Sequence, residues 1–437
     1  MNIPSIRDPR YRGLWTTGLL ASALWVNLNS GPWLVPDNPR TVSDFLVLAR
    51  VYAPGAVLIL ALLRLLDYRL RLSILDSPLT LLALYGTVSL VAGTASPDPR
   101  YATYWSIAFL ATVVTYRLVG TAPVPERVAR LLLLGTWFAT LVVAAGAAAY
   151  GKTSIFGSSQ SGYDINLELN EMSRSSGVAR WAAVGALVLL LRAFYVRWWP
   201  IRGVLLAGFG MGLFIVYRMQ SRGAVFGCFA ALLFIAALQP RLRTSALVLL
   251  PITLLLMVGS DTAQILPEKV IVYLERGQTE SGLYTMGGRT EYYAQGWEAF
   301  LQAPLLGRGQ WADRLLLIGH IHNSFLEAAL SAGVIGFVPY VLSWIAGWLL
   351  FFRLWRQRDS LWRHDRIALL ECGATMAFFT VRAIPETTTA GYAPDLLIMA
   401  AVYAYLSALA AAKPGGRLPV RSGIAWRRKA QPAVIHA

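Results

Sequence analysis

Long apolar runs alternate with short polar breaks along almost the whole chain. Runs of spanning length fall at 13–29, 45–66, 77–95, 101–120, 128–150, 176–197, 201–219, 222–239, 243–260, 323–352, 367–385 and 392–412. About 20 residues suffice to cross a bilayer, so the pattern predicts an all-α polytopic membrane protein with about twelve transmembrane helices. The first run is interrupted by Asn27 and Asn29 and is the weakest of the series. Two polar segments are long. Residues 151–175 are rich in Gly and Ser and read as a loop. Residues 260–322 form one large extramembrane region, and within it GGRTEYYAQGWEAFLQAP has helical spacing. That spacing puts Tyr293, Trp297, Phe300 and Leu301 on one side of a helix suited to the membrane interface. Gly288 precedes this helix, Pro304 ends it, and PLLGRGQ reads as a tight turn. The chain thus divides into spans one to nine (1–259), the large loop (260–322), spans ten to twelve (323–412) and a short basic tail (413–437).

Composition agrees with the pattern: of 437 residues, 56% are hydrophobic and 14% charged, too apolar for a soluble domain. A net charge of +16 would suit nucleic acid in a soluble protein. Here its placement matters more, and it sets orientation. With the N-terminus in the cytoplasm, one side collects Arg64, Arg69 and Arg71, Arg117, Arg127 and Arg130, Arg192, Arg197 and Arg202, Arg241 and Arg243. The loop 353–366 and the tail with Arg427, Arg428 and Lys429 complete that set. His364 and His436 then fall on the cytoplasmic side, and 260–322 faces outward. No nucleic-acid partner is expected; membrane lipids are. Cys228 and Cys372 lie inside apolar runs, so neither a disulfide nor a thiolate metal site is expected. Arg7, Arg10 and Arg12 lead into the first span with no apparent cleavable signal.

The stretch HIHNSFLEAALSAGVIG (320–336) sits where the large loop gives way to the tenth span. Ser324 and Glu327 read as a capping box at the start of that helix, and Gly333 and Gly336 let a neighbouring helix approach. His322 is therefore held at a helix N-terminus, where the dipole disfavours imidazolium and suits a neutral base. The alternative is a histidine that merely caps the helix or bonds a loop. The outward arginines are the informative charges. Arg222, between Ser221 and Gly223, and Arg289, heading the interfacial helix, offer guanidinium forks for an anion. Snorkelling accounts for Arg218 and is the competing account of Arg222. Arg308 and Arg382 are further substrate-binding candidates, Arg382 with Glu386 nearby as a competing ion-pair partner.

Three stretches resemble the O-antigen ligase family, within the wider superfamily of O-antigen polymerase-like membrane glycosyltransferases: SRGA at 221–224, GGRTEYYAQGWEAFLQAPLLGRG at 287–309, and His322-Asn323 followed nine residues later by Gly333-Val-Ile-Gly336. The resemblance implies a C-type glycosyltransferase-like fold in the bacterial inner membrane with its site facing the periplasm. It implies transfer of O-antigen from an undecaprenyl pyrophosphate carrier to the lipid A-core acceptor, with Asn323 joining His322 in the motif. A monomer is expected.

The chemistry of the residues suits that implication. A glycosyl pyrophosphate carries its own good leaving group. The site then needs a base for the acceptor hydroxyl, the role of His322, and cations for the diphosphate, the roles of Arg222 and Arg289. A single displacement inverts the anomeric centre. No Asp-x-Asp occurs in the outward loops, so neither a metal nor any other cofactor is expected in the reaction. Other readings are an O-antigen polymerase, a protein O-oligosaccharyltransferase, or a lipid-linked saccharide flippase. The flippase would call for charged or broken helices near the bilayer midplane, whereas these span middles are nearly free of charge.

Overall fold

The computed structural model describes residues 12–28, 41–67, 77–150, 175–219, 221–240, 243–244, 289–317 and 320–412. Among them are α1 (Arg12–Val26), α2 (Val42–Asp67), α3 (Pro78–Ala92), α4 (Pro99–Arg117), α5 (Pro125–Tyr150), α6 (Ser175–Tyr195), α7 (Trp199–Arg218) and α8 (Arg222–Leu238). They continue with α9 (Arg289–Gln302), the short α10 (Ala312–Leu316), α11 (Ser324–Arg356), α12 (Arg363–Arg382) and α13 (Pro394–Ala411). No β-strand occurs among the described residues. A helix occupies each predicted span except 243–260, most of which lies outside the described residues. Among the described residues, eight helices are long and apolar enough to cross a membrane, and α1 and α8 contain shorter apolar stretches. The chain is a multi-pass membrane protein.

Burial separates the centre from the rim. Along α13 every residue from Pro394 to Leu406 is buried, as expected of a helix that is apolar on all sides. α5, α4 and α11 pack against it, and further out α3 packs on α11, α8 on α12 and α6 on α7. α2 and α7 lie outermost, their leucines, valines and phenylalanines exposed where lipid would cover them. The interior does hold some charge, within spans whose middles are otherwise nearly free of it. Glu371 of α12 is fully buried, and Arg192 grips it from both Nε (2.7 Å) and Nη2 (2.9 Å) while Trp137 donates from Nε1 (3.0 Å). A lipid-embedded carboxylate persists only with such partners.

α11 is interrupted at Gly333 (φ 57°, ψ −166°). An interruption strands carbonyls before it and amides after it. The turn after α9 takes both sets: Arg308 and Gly309 donate from N to the carbonyls of Leu330 (2.8 Å) and Ser331 (2.9 Å), while Pro304 and Leu305 accept from the amides of Val334 (2.8 Å) and Ile335 (3.2 Å). Glycine is required on both sides of this joint. A Cβ on Gly333 would lie 2.2 Å from the Leu305 carbonyl carbon, and one on Gly307 (φ +74°) 2.5 Å from the Leu330 oxygen. The tight turn predicted at 304–310 is therefore a wedge in the broken helix. Gly336 makes the expected close approach, toward Tyr85 and Val88 of α3.

α9 lies against the N-terminal end of α11, packing through a stripe beside the predicted interfacial residues. Gly296, Ala299 and Phe300 are buried, whereas Trp297 and Leu301 are more than half exposed. The cause is Gly296, whose missing side chain lets Ile321 close in; a Cβ there would lie 2.2 Å from Ile321 Cδ1.

Candidate active site

The site gathers where α11 begins, α12 ends and α9 crosses above them. Asn323, not Ser324, is the N-cap of α11: its Oδ1 accepts from the amides of Phe325 and Leu326, both at 2.9 Å. The expected capping box does not form. Ser324 Oγ instead donates to the carbonyl of Glu386 (3.0 Å) and accepts from the amide of Thr388 (2.8 Å), and Glu327 turns into the interior. Asn323 Nδ2 also donates to the carbonyl of Ile384 (3.0 Å). Together these bonds fasten the segment 383–388 to the mouth of α11.

His322 takes a left-handed backbone (φ 48°), uncommon for a residue with a side chain and costing about 1 kcal/mol or more. Tyr293 of α9 donates to its carbonyl (3.2 Å). Its Nδ1 lies 3.1 Å from Glu386 Oε2, and Arg289 Nη2 lies 2.9 Å from the other oxygen, Oε1. Burial opposes ionisation of Glu386. The His322 hydrogen bond and the charges of Arg382 and Arg289 oppose it and hold the carboxyl well below its ordinary range. An ionised carboxylate only accepts, so Nδ1 donates in this contact and Nε2 is the ring nitrogen that Glu386 leaves unengaged.

A cavity of ≈ 60 Å³ opens beside His322, lined among others by Arg180, Trp311, His320, Glu327 and Glu386. Arg180 of α6 pairs with the buried Asp395 of α13 (2.9 Å), which also accepts from Trp181 Nε1 (3.3 Å). Arg382 is fully buried, and none of its three guanidinium nitrogens has a hydrogen-bond partner among the described residues. A Cβ on Gly223 would lie 3.4 Å from Arg382 Nη1 and 3.5 Å from Glu386 Cγ, so the start of α8 abuts both groups. The Arg222 backbone is thereby adjacent; the side chains of Arg222 and Arg218 lie outside the description. Glu386 is one carboxylate facing the guanidiniums of Arg289 and Arg382, an excess of positive charge that favours an anion.

Of the residues singled out by sequence, His322, Arg289 and Arg382 meet around Glu386, and the backbone of Arg222 joins them. Arg308 does not line the cavity. Its Nη1 points to the carbonyl of Ala95 (3.5 Å), and its backbone serves the α11 joint. Asn323 acts as a cap and a strap. Sequence reasoning had Glu386 only as a possible partner of Arg382 and did not single out Arg180, Asp395, Asp313 or Glu327 as site residues. Arg180, Glu327 and Asp395 stand in the sequence as charged side chains near the ends of apolar runs, where each needs a partner or a ligand, whereas Asp313 lies inside the polar segment with no such signal.

Residues 204–341 match the family model described as O-antigen ligase. That span contains all three stretches on which the resemblance rested. No curated protein matches the chain.

Proposed function

We propose that this chain, which carries the domain of the O-antigen ligase family, transfers O-antigen from undecaprenyl pyrophosphate to lipid A-core at the periplasmic face of the bacterial inner membrane. The family match supports a ligase- or polymerase-type membrane transferase. The ligase reaction, its carrier and its acceptor are the finer reading. One observation carries it: the His322–Glu386–Arg289 chain at the mouth of α11. In this reading Nε2 of His322 takes the proton of the acceptor hydroxyl as that oxygen attacks the anomeric carbon. Glu386 fixes the tautomer and offsets the imidazolium that forms. Arg289, Arg222 and Arg382 receive the charge that develops on the departing diphosphate, and no metal is needed there. Attack opposite the leaving group inverts the anomeric centre. In this reading the assembly faces the periplasm, the side opposite the arginine-rich connections, and the protein acts as a monomer.

The glycolipids of a deletion strain test the reading. Full-length polymer retained on the carrier beside bare lipid A-core is expected. Core bearing a single repeat would make the protein a polymerase. Normal ligation with carrier-linked units trapped in the cytoplasmic leaflet would make it a flippase.

A further inference from the structure

Beside the His322 cavity, three side chains converge that the proposed transfer does not use. Asp313 belongs to α10, His320 to the segment entering α11, and Glu327 to the first turn of α11. Their potential ligand atoms all lie within 4.8 Å of one another. Asp313 and Glu327 are 0% and 2% exposed. His320 Nδ1 meets Asp313 Oδ2, which also accepts from the Ile321 amide (3.2 Å). Asp313 Oδ1 and Glu327 Oε2 are both shut off from solvent, and with both carboxyls ionised neither has a donor to accept from; the two face each other closely enough to share a proton. Arg314, stacked 4.0 Å over the Trp311 ring, adds one positive charge near two carboxylates. Buried acceptors left unmatched in this way cost several kcal/mol unless a cation or a proton joins them.

We propose that Asp313, His320 and Glu327 bind one divalent first-row cation, Zn²⁺ or Mn²⁺. A donor set of one imidazole and two carboxylates suits those ions, whereas Ca²⁺ and Mg²⁺ favour all-oxygen shells. Two ligands about 2.2 Å from one ion at the tetrahedral angle lie about 3.6 Å apart, so a pair at the 4.8 Å limit closes by about 1 Å on binding. His320 and Glu327 line the cavity, which gives the ion an entry path and leaves a coordination position for water. The ion ties α10 and the segment before His322 to α11. It stands apart from the arginines assigned to the diphosphate, so its work is to fasten the loop.

The competing arrangement is a proton shared between Asp313 and Glu327. Glu327→Gln separates the two, because a carboxamide can still donate to Asp313 but is a poor metal ligand. Purified full-length protein in detergent is assayed for metal by mass spectrometry. It is then stripped with chelator, dialysed and titrated with Zn²⁺ or Mn²⁺ while its thermal unfolding midpoint is followed. The wild type should retain about one ion per chain and gain several degrees on reloading. Glu327→Gln should bind at least about tenfold more weakly and show no gain. If Glu327→Gln does not accumulate, His320→Asn carries the same comparison. Two results overturn the proposal. One is a wild type that neither retains an ion nor responds to either metal. The other is a wild-type response that persists undiminished in the variant, which would assign it to exposed groups such as His364.

Discussion

Nδ1 of His322 and Oε2 of Glu386 lie 3.1 Å apart although 64 residues separate them in the chain. The bond joins the mouth of α11 to the segment that follows α12, and Arg289 closes it from the other side. A histidine held this way has a fixed tautomer and a fixed ring. Glu386→Gln keeps the shape but loses the charge that offsets an imidazolium. Transfer by the purified protein should fall about a hundredfold, with carrier-lipid binding retained. An unchanged rate in Glu386→Gln would remove the carboxylate from the mechanism and leave His322 unsupported.

The same carboxylate leaves a mark on acid stability. Its pKa in the folded protein lies well below the ordinary 4.5. A depressed carboxylate pKa stabilises the fold above the unfolded value, and that contribution is lost as pH falls toward the folded value. The midpoint of thermal unfolding should therefore drop as pH is lowered below 4.5, and drop less steeply in Glu386→Gln. Parallel curves for the two proteins would show that the depression is absent.

At the arginines, charge and geometry separate. Arg→Ala at Arg222 or Arg289 should abolish transfer, and Arg→Lys should restore only a small part, since lysine keeps charge but loses the planar fork. Losing one charge-assisted bond to the leaving group costs about 3 kcal/mol, or roughly a hundredfold in rate. The same changes at Arg218 should do little. Full activity in Arg222→Lys at normal membrane levels would mean that Arg222 only snorkels.

The joint in α11 predicts a stability cost. Gly333→Ala meets the Leu305 backbone at 2.2 Å in a left-handed conformation, and the unfolding midpoint should fall by several degrees. Gly210→Ala in α7, with nothing within 4 Å, should leave it unchanged or slightly raised. Equal midpoints for the two variants would mean that the wedge is not held as described.

Orientation can be read by labelling. A cysteine placed at the exposed Glu298 of α9 should react with an impermeant reagent on intact spheroplasts, and one at the exposed Ser360 should not. The native Cys228 and Cys372 are buried and contribute little background. Reversed labelling would move the site to the cytoplasm and end the reading of its substrates.

The helices were legible because a bilayer imposes one requirement, a run of apolar residues, that any span must show. The mouth of α11 was legible for a similar reason: His322 and Asn323 stand where the polar loop ends. The partners were not. Glu386 follows α12, Arg180 sits on α6 and Asp395 on α13, and pairing across such distances in sequence leaves no local pattern. Ser324-x-x-Glu327 has the spacing of a capping box, but Asn323 captured the free amides first and released both side chains to tertiary contacts. Gly333 reads equally as a packing glycine or a break; only its contact with the 304–309 turn separates the two.

That break also bears on mechanics. An uninterrupted helix is a stiff rod, and a rod that tilts to match a thicker or thinner bilayer swings its tip. In α11 the rod stops at Gly333. The short stub beyond it, which leads to His322, is bolted to the α9 turn and strapped to residues 383–388. The same turn also holds Val334 and Ile335 on the inner side of the break, so stub and inner part share one anchor, and the place of His322 is set by that anchor rather than by the continuity of the helix.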